Sequence, residues 1–174
     1  MTMSGSKRGL RAVHSAVRDR LLDIAQTDDY YHDAPAIVPR VIRPELGQLR
    51  PPYICLPLDD NGTCSVDGDV ITETVHQPVL VILPENNGID FEDCGAADAC
   101  NWHDDILKAL MPDDPREWNL GDSAVVDDVT VTSKNLQSEP LDGFPAFVLI
   151  NLEISVRFTR ENLGRQGRDQ EDHQ

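Results

Sequence analysis

The clearest hydrophobic pattern in the chain is a strict alternation near its end, between Ala146 and Arg160. Every second position is apolar, and these positions hold Val148, Ile150, Leu152, Ile154, Val156 and Phe158. Alternation of this kind, with β-branched and aromatic side chains on one face, is typical of a half-buried β-strand. Six inward-facing residues are more than an ordinary strand of about five to six residues supplies. We therefore predict that this segment is the central or longest strand of a sheet.

A second long strand is predicted for residues 69–85. Its first half alternates between apolar and polar positions, whereas its second half is apolar on both faces. A strand segment that is apolar on both faces is expected to lie between two layers of the fold. Pro78 interrupts this segment, and because proline cannot donate a backbone hydrogen bond, it predicts an edge position or a bulge.

Three shorter segments complete the predicted sheet, at residues 36–43, 53–58 and 125–132. Pro39 restricts the first of them to an edge or a bulge. In the third, simple alternation places four residues on one face: Val125, Asp127, Val129 and Val131. Residues 133–145, which include two prolines and a glycine, are predicted to be a long connection.

Apolar residues at steps of three and four predict two amphipathic helices, over residues 7–26 and 94–111. The apolar stripe of the first contains Leu10, Val13, Val17, Leu21 and Ile24. The stripe of the second contains Ala99, His103, Ile106, Leu107 and Leu110, and its water-facing side holds Asp98, Asp104 and Asp105. Ser4 or Ser6 can cap the first helix and Asp93 the second.

The order of the elements predicts an α+β fold, in which both helices pack on one face of a mostly antiparallel sheet. The length of 174 residues fits a single domain. We assign this domain to residues 1–162 and residues 163–174 to a polar C-terminal tail. No apolar run approaches the roughly 18 residues of a membrane span, and the first residues lack the apolar region of a secretory signal.

The chain is strongly acidic, with 31 Asp and Glu residues against 15 Lys and Arg residues and a net charge of −16. Only three of the basic residues are lysines. Such a composition fits a generic acidic protein kept in solution by self-repulsion, or a protein adapted to high salt, where ions screen that repulsion. We favour adaptation to high salt. The charge argues against a protein that grips nucleic-acid phosphates with a basic surface.

The densest group of acidic residues lies in DDNGTCSVDGD, residues 59–69. A calcium-binding EF-hand loop needs a glycine at its sixth position and a glutamate at its twelfth. Counted from Asp59, the sixth position is Cys64, and no glutamate stands at the twelfth. We therefore interpret the segment as a hairpin loop, since Asn-Gly and Asp-Gly pairs form turns.

Four cysteines, Cys55, Cys64, Cys94 and Cys100, are too few for a disulfide scaffold. Cys94, Cys100 and His103 raise the question of a zinc site, but they lack the paired spacing of a zinc motif, and packed core residues are the better interpretation. A Cys55–Cys64 or a Cys94–Cys100 disulfide stays open for a protein that ends up outside a cell.

No motif for catalysis or cofactor binding appears in the sequence. The chain contains no glycine-rich phosphate loop and no Gly-x-Ser-x-Gly motif, and none of its five histidines stands in a motif with a nucleophile. We therefore predict no enzymatic activity, no cofactor and no metal ion.

Four segments follow one another in a characteristic order. They are LRPPYICLPL at residues 49–58, TETVHQPVLVILPE at residues 72–85, ADACNWHDDILKALM at residues 97–111 and FVLINLEISVRFTREN at residues 147–162. Together with the N-terminal amphipathic helix, this order resembles the tail terminator, or tail completion, proteins of long-tailed viruses. In that family a helix with the DDI and KAL groups follows the long strand, and the final strand ends in an aromatic and a basic residue. The chain departs from the family in its acidity and in its longer loops at residues 59–69 and 85–95.

The resemblance implies a structural role in a virion. Members of the family form hexameric rings that cap the tail tube, stop its polymerisation and offer the head connector a surface on which to dock. DNA passes through the ring, and an acidic lumen would not trap its phosphates. The implied partners are further copies of the chain, the major tail tube protein and a head-completion or connector protein. The implied location is the neck or tail of a virion that is assembled in the host cytoplasm, and the acidic composition points to a halophilic host.

Loops that project from the sheet are the expected contacts of such a ring subunit. The candidate contact residues are Asp59, Asp60, Asp67, Asp69, Lys134, Asn135, Asp142 and Phe144. For any one of them, a plain solvated loop is an equally good interpretation. Two other functions stay open: another neck or tail component of the same virion, or a small acidic cation-binding domain of a halophile.

Overall fold

Six strands and two helices build the computed structural model, which describes residues 9–58, 61–111, 113–114, 117–118, 120 and 124–160. In chain order the elements are α1 (Leu10–Leu22), β1 (Ala36–Val38), β2 (Tyr53–Cys55), β3 (Thr63–Asp67), β4 (Val70–Ile82), α2 (Gly95–Leu110), β5 (Val125–Gln137) and β6 (Phe147–Thr159). The sheet order is β1-β2-β4-β6-β5, and β3 pairs with β4. Among these described strands, β1 and β2 are parallel and every other pair is antiparallel, which confirms the predicted α+β fold.

The alternating segment near the chain end is β6, and its predicted buried face is confirmed. The six inward side chains from Val148 to Phe158 are at most 4% exposed. β6 lies between β4 and β5, and it pairs with β4 over thirteen residues, from Phe147 opposite Ile82 to Thr159 opposite Val70. β4 and β5 are as long as β6. Three strands of thirteen residues, each about 40 Å long, therefore run side by side.

In β5, the residues that face the core differ from those predicted. Bulges interrupt its pairing with β6 after Val126 and after Val131. The first bulge adds Asp127 as an extra residue, so Val126 is buried while Val125 is 49% exposed. The prediction of a single face is therefore wrong for Val125, Asp127, Val129 and Val131. The bulge shifts the alternation by one residue.

Two segments predicted as loops are partly strand. Much of the acidic loop forms β3, and Gly68 and Asp69 make the turn into β4. Gly68 has a φ of 59°, a conformation that favours glycine and is common in two-residue hairpin turns. β5 likewise continues to Gln137, into the segment predicted as a connection. An edge strand that water contacts on both faces needs no alternation of apolar residues, so the hydrophobic pattern does not reveal it.

Pro78 lies inside the sheet, and a gap in the neighbouring pairing accommodates it. On the side of β4 away from β6, β3 pairs with its first five residues and β2 with its last three. Between these two strands, the described part of β4 has no partner strand on this side, so the missing N–H of Pro78 interrupts no pairing there. The side chain of Gln77 fills the gap: its Nε2 donates to the carbonyls of Pro57 at 3.1 Å and Pro78 at 2.8 Å, and its Oε1 lies 2.8 Å from His14 Nδ1.

Both helices pack on the inward face of β6, as predicted. One cluster of buried residues joins α1, α2 and the inward faces of β4, β5 and β6. The buried stripe of α2 is rotated from its prediction, because the large side chain of Trp102 takes the core position that was expected for His103. Asp105, predicted to face water, is 2% exposed. Cys94 rather than Asp93 occupies the N-cap of α2, without a side-chain hydrogen bond.

A smaller buried cluster covers the opposite face of the sheet at one end. It contains Ile42, Tyr53, Cys55, Leu80 and Ile82. The Tyr53 hydroxyl donates to the Ile42 carbonyl at 2.5 Å, which holds the segment after β1 over this end of the sheet. The second half of β4 is therefore buried on both faces, as its sequence predicts.

Some predictions concern residues outside the described ranges. They are the helix caps Ser4 and Ser6, the candidate contacts Asp59 and Asp60, and the tail at residues 163–174.

Replacing Gln77 with Ala removes the side chain that fills the gap beside Pro78. Two partly buried carbonyls then lose their donor, so we expect the free energy of unfolding to fall by about 1–3 kcal/mol. Urea unfolding at constant salt measures the change. Gln137→Ala is the matched control, because within the described structure the Nε2 of Gln137 is buried without a hydrogen-bond partner. Equal losses in the two variants would show that the hydrogen bonds across the gap contribute nothing specific.

Candidate assembly surfaces

The described candidate contact residues do not form one site, because they lie towards opposite ends of the long strands. Asp67 and Asp69 lie where β3 turns into β4, beside the last residue of β6. Asp142 and Phe144 lie at the other end, just before β6 begins. The thirteen residues of β4, about 40 Å of strand, separate the two groups.

The first of these ends, the hairpin end, consists of the β3–β4 turn and the start of β5. Its three exposed apolar side chains are Val66 (52% exposed), Val70 (43%) and Val125 (49%). The backbone N–H of Arg160 donates to the Asp69 carbonyl at 3.0 Å, which fixes the turn against the end of β6. The hairpin end is therefore an ordered surface with apolar side chains.

A charged pair joins two strands next to the hairpin end. Arg157 donates two hydrogen bonds to the Asp127 carboxylate, at 2.5 and 2.7 Å. The bulge in β5 places Asp127 opposite this guanidinium. Both side chains are partly exposed, which limits the contribution of the pair to stability, while its two hydrogen bonds fix the relative orientation of the two side chains.

The opposite end of the sheet, the proline end, consists of three loops at residues 43–51, 83–91 and 138–145. Five prolines lie in these loops: Pro44, Pro51, Pro84, Pro140 and Pro145. Leu46, Ile89, Phe91 and Leu141 are between 60% and 97% exposed here. Four exposed apolar side chains at one end of the sheet make this end a candidate for a surface that other proteins contact.

The turn at residues 141–144 gives the proline end a fixed shape. Leu141 and Phe144 exchange backbone hydrogen bonds of 3.0 and 2.9 Å. Asp142 and Gly143 between them have φ values of 52° and 74°, which is the conformation that an Asp-Gly pair favours in a two-residue turn. The Phe144 ring packs edge-on against Phe147, with 5.4 Å between the ring centroids.

Lys134 and Asn135 lie on a strand, so their predicted position in a loop is wrong. They pair with Ile150 and Leu149 of β6, in the half of β5 nearer the proline end. Both are exposed on the outermost described strand of the sheet. Bulges and charges on this edge discourage uncontrolled pairing with other chains.

A buried carboxylate holds the segment after α1 against α2. Asp105 accepts backbone hydrogen bonds from Tyr31 at 2.9 Å and His32 at 3.0 Å. The His32 ring stacks on Trp102, with 4.0 Å between centroids. Its Nδ1 lies 2.8 Å from Asp105 and its Nε2 lies 3.0 Å from Asp98. We call His32, Asp98, Trp102 and Asp105 the histidine clasp.

The histidine clasp favours a protonated His32. A neutral imidazole donates from one nitrogen, whereas each nitrogen of this ring faces a carboxylate. Burial lowers the pKa of His32, but the hydrogen bonds and charges of Asp98 and Asp105 together outweigh burial and raise the pKa above 6.5. The sequence could have predicted three members of the clasp, because residues 98, 102 and 105 share one helical face. The partner His32 lies 73 residues away in sequence, which no local pattern reveals.

The four cysteines are free thiols in the structure, so neither disulfide left open by the sequence forms. Cys55 is buried, and burial raises the pKa of its thiol. Cys100 is exposed, so core packing does not explain it. His103 lies 2.9 Å from the Asp104 carboxylate. Among the described residues, no group of three His, Cys, Asp or Glu side chains is placed to hold a metal ion.

Within the part of the chain that the structure describes, no helix has both the length and the apolar character that crossing a membrane requires.

Comparison with solved structures finds a chain of similar fold in the virion of a native gene transfer agent (GTA) particle. The two folds superpose with a TM-score of 0.55, over 84% of this chain and 94% of that chain. Sequence identity is 15%, so the likeness is one of fold. No protein-family model matches the chain, and no curated protein matches it either.

Replacing His32 with Gln tests the charge in the histidine clasp. Because the folded-state pKa is raised, protonated His32 stabilises the wild-type protein below the unfolded-state pKa of about 6.5, and this contribution disappears as pH rises through the higher folded-state pKa. We therefore expect the free energy of unfolding of the wild type to fall more steeply above about pH 6.5 than that of the variant. Urea unfolding across a pH series at constant salt measures both slopes.

His103→Gln is the matched control, because its ring pairs with the exposed Asp104 rather than with a buried carboxylate. It should keep the steeper wild-type slope. Parallel pH profiles of the wild type and His32→Gln would contradict a charged clasp.

Proposed function

We propose that this chain is a structural subunit of a virion, and that it acts as a tail terminator: a ring that caps the tail tube and joins it to the head connector. The observation that carries the proposal is the fold shared with a chain of the gene transfer agent virion, over 84% of this chain and 94% of that one. Because the match extends over most of both chains, the likeness is one of whole domains rather than of a common motif. Because one fold can serve several functions, the arrangement of the surfaces must support the specific role.

A joint between a tube and a connector needs two different surfaces on opposite sides. The hairpin end and the proline end meet this requirement, since about 40 Å of strand separates them. The β4–β6 ladder joins them without a register shift. The hairpin end presents three valines, whereas the proline end presents loops with prolines and larger apolar side chains. Two unlike ends suit contact with two unlike partners, which we propose are the tail tube protein and a connector protein.

A ring also needs a contact between neighbouring copies that closes. The lateral edges of the described sheet differ, because β5 forms one edge and the short strands β1 and β3 form the other. Contact between unlike patches of adjacent copies is heterologous, and it closes into a ring when the rotation per copy allows it. We propose six copies per ring.

The charge of −16 per copy fits a lumen through which DNA passes without binding, since basic residues are what hold phosphates. The same charge makes neighbouring copies repel one another. At about 1 M salt the screening length falls to about 3 Å, which removes most of this repulsion. We therefore propose that the particle assembles in a halophilic host.

Assembly of the purified chain should depend on salt. At about 1 M salt or more we expect a species of six times the mass of the 19.3 kDa chain. At about 0.01 M salt, where the screening length grows to about 30 Å, we expect it to dissociate. Size-exclusion chromatography with light scattering measures both masses.

Binding to tail tubes tests the terminator role itself. Added to polymerising tail tubes of the same virus, the ring should stop elongation and appear at one tube end in electron micrographs. A chain that stays monomeric at every salt concentration and leaves tube growth unchanged would contradict the proposal. A monomer that binds a divalent cation stoichiometrically would instead favour the acidic cation-binding domain.

A further inference from the structure

Two open clefts lie side by side at the proline end. The first has a volume of about 240 Å³, and four prolines, Leu83 and Phe144 form most of its walls. The second has a volume of about 560 Å³, with a lining of amide, hydroxyl and carboxylate groups. Glu85 and Pro140 border both clefts, so the two form one continuous surface.

The backbone around the clefts is closely packed. A Cβ atom on Gly88 would lie 1.9 Å from the carbonyl oxygen of Asp93, so the chain folds back on itself here more tightly than a larger residue allows. A Cβ atom on Gly95 would lie 2.6 Å from the carbonyl oxygen of Ser138, which brings the start of α2 against the loop after β5. With prolines in the neighbouring loops, this surface is preorganised, and a preorganised surface loses less entropy when a partner binds.

The charges around the clefts are predominantly negative. Glu45 and Glu85 border the apolar cleft, and Glu85 and Glu139 border the polar one. A cation already contacts this surface from within the chain, since the Arg43 guanidinium lies 5.5 Å from the centroid of the Phe144 ring. An apolar cleft with carboxylates at its border complements an apolar side chain that has a basic side chain beside it.

We propose that the proline end binds an extended segment of another protein of the particle, one that carries an apolar side chain next to Arg or Lys. The apolar cleft has a volume of about 240 Å³. It suits one anchoring side chain of a protein partner, which is how a few buried residues dominate an interface. The basic side chain beside the anchor reaches Glu85 and Glu139 at the polar cleft. The identity of the partner as a particle protein rests on the proposed function.

Peptide binding tests the proposal directly. The probe is a fluorescein-labelled peptide of ten residues, with one Leu followed by two Arg in a Gly and Ser background. Fluorescence anisotropy with the full-length chain should show saturable binding. Glu85→Gln with Glu139→Gln should weaken it at least tenfold, and replacing the Leu of the probe by Ser should weaken it at least fivefold.

Asp67→Asn with Asp69→Asn is the matched control, because it removes the same charge from the exposed hairpin end. It should change the affinity less than twofold. Equal losses in the two double variants would overturn the proposal, since the probe would then respond to net charge alone. The absence of saturable binding to the wild type would overturn it as well.

Light scattering tests whether the clefts bind another protein or a second copy of the chain. At about 1 M salt, where the repulsion between copies is screened, the Glu85→Gln, Glu139→Gln variant should keep the mass of the wild type. A changed mass would identify a second copy of the chain as the occupant and overturn the assignment to another protein. Because the peptide assay needs no ring, a failed ring assembly with intact peptide binding would refute the proposed function alone.

Discussion

The pairing of β4 with β6 is the constraint on which the rest of the structure depends. Thirteen consecutive residue pairs fix the register, and the inward side chains of both strands form the floor on which α1 and α2 pack. A slip of one residue would turn the six inward side chains of β6 towards water, so burial itself selects this register. β5 attaches to β6, while β2 and β3 attach to β4, so every other strand except β1 takes its place directly from this pair.

The same ladder determines what the surface can do. Its length separates the hairpin end from the proline end by about 40 Å, which is the separation on which the proposed contact with two partners depends. The histidine clasp and Gln77 hold neighbouring elements together within the fold. The clasp holds the segment after α1 on the helix layer, and Gln77 joins β4 to α1 and to the segment after β2. Loops fixed by prolines and tight turns then form the surfaces that we propose as contacts at either end.

The sequence predicted the parts of the fold in which one local pattern decides the outcome. The alternation in β6 and the doubly apolar half of β4 are such patterns. It failed where a distant residue decides: the bulge at Asp127 depends on pairing with β6, and the burial of Asp105 depends on His32, 73 residues away. Among the candidate contacts, Asp69 and Asp142 lie outside the strands, as the loops predicted from the neighbouring glycines require. Lys134 and Asn135 were placed in a loop because an exposed edge strand carries no hydrophobic signal.

The central claim is that the subunit joins two partners through opposite ends of its long strands. Electron cryomicroscopy of the high-salt oligomer tests it most directly. The account predicts a closed ring in which β4, β5 and β6 run from one face to the other, with the hairpin end on one face and the proline end on the opposite face. Strands lying in the plane of the ring, or both ends on the same face, would contradict it.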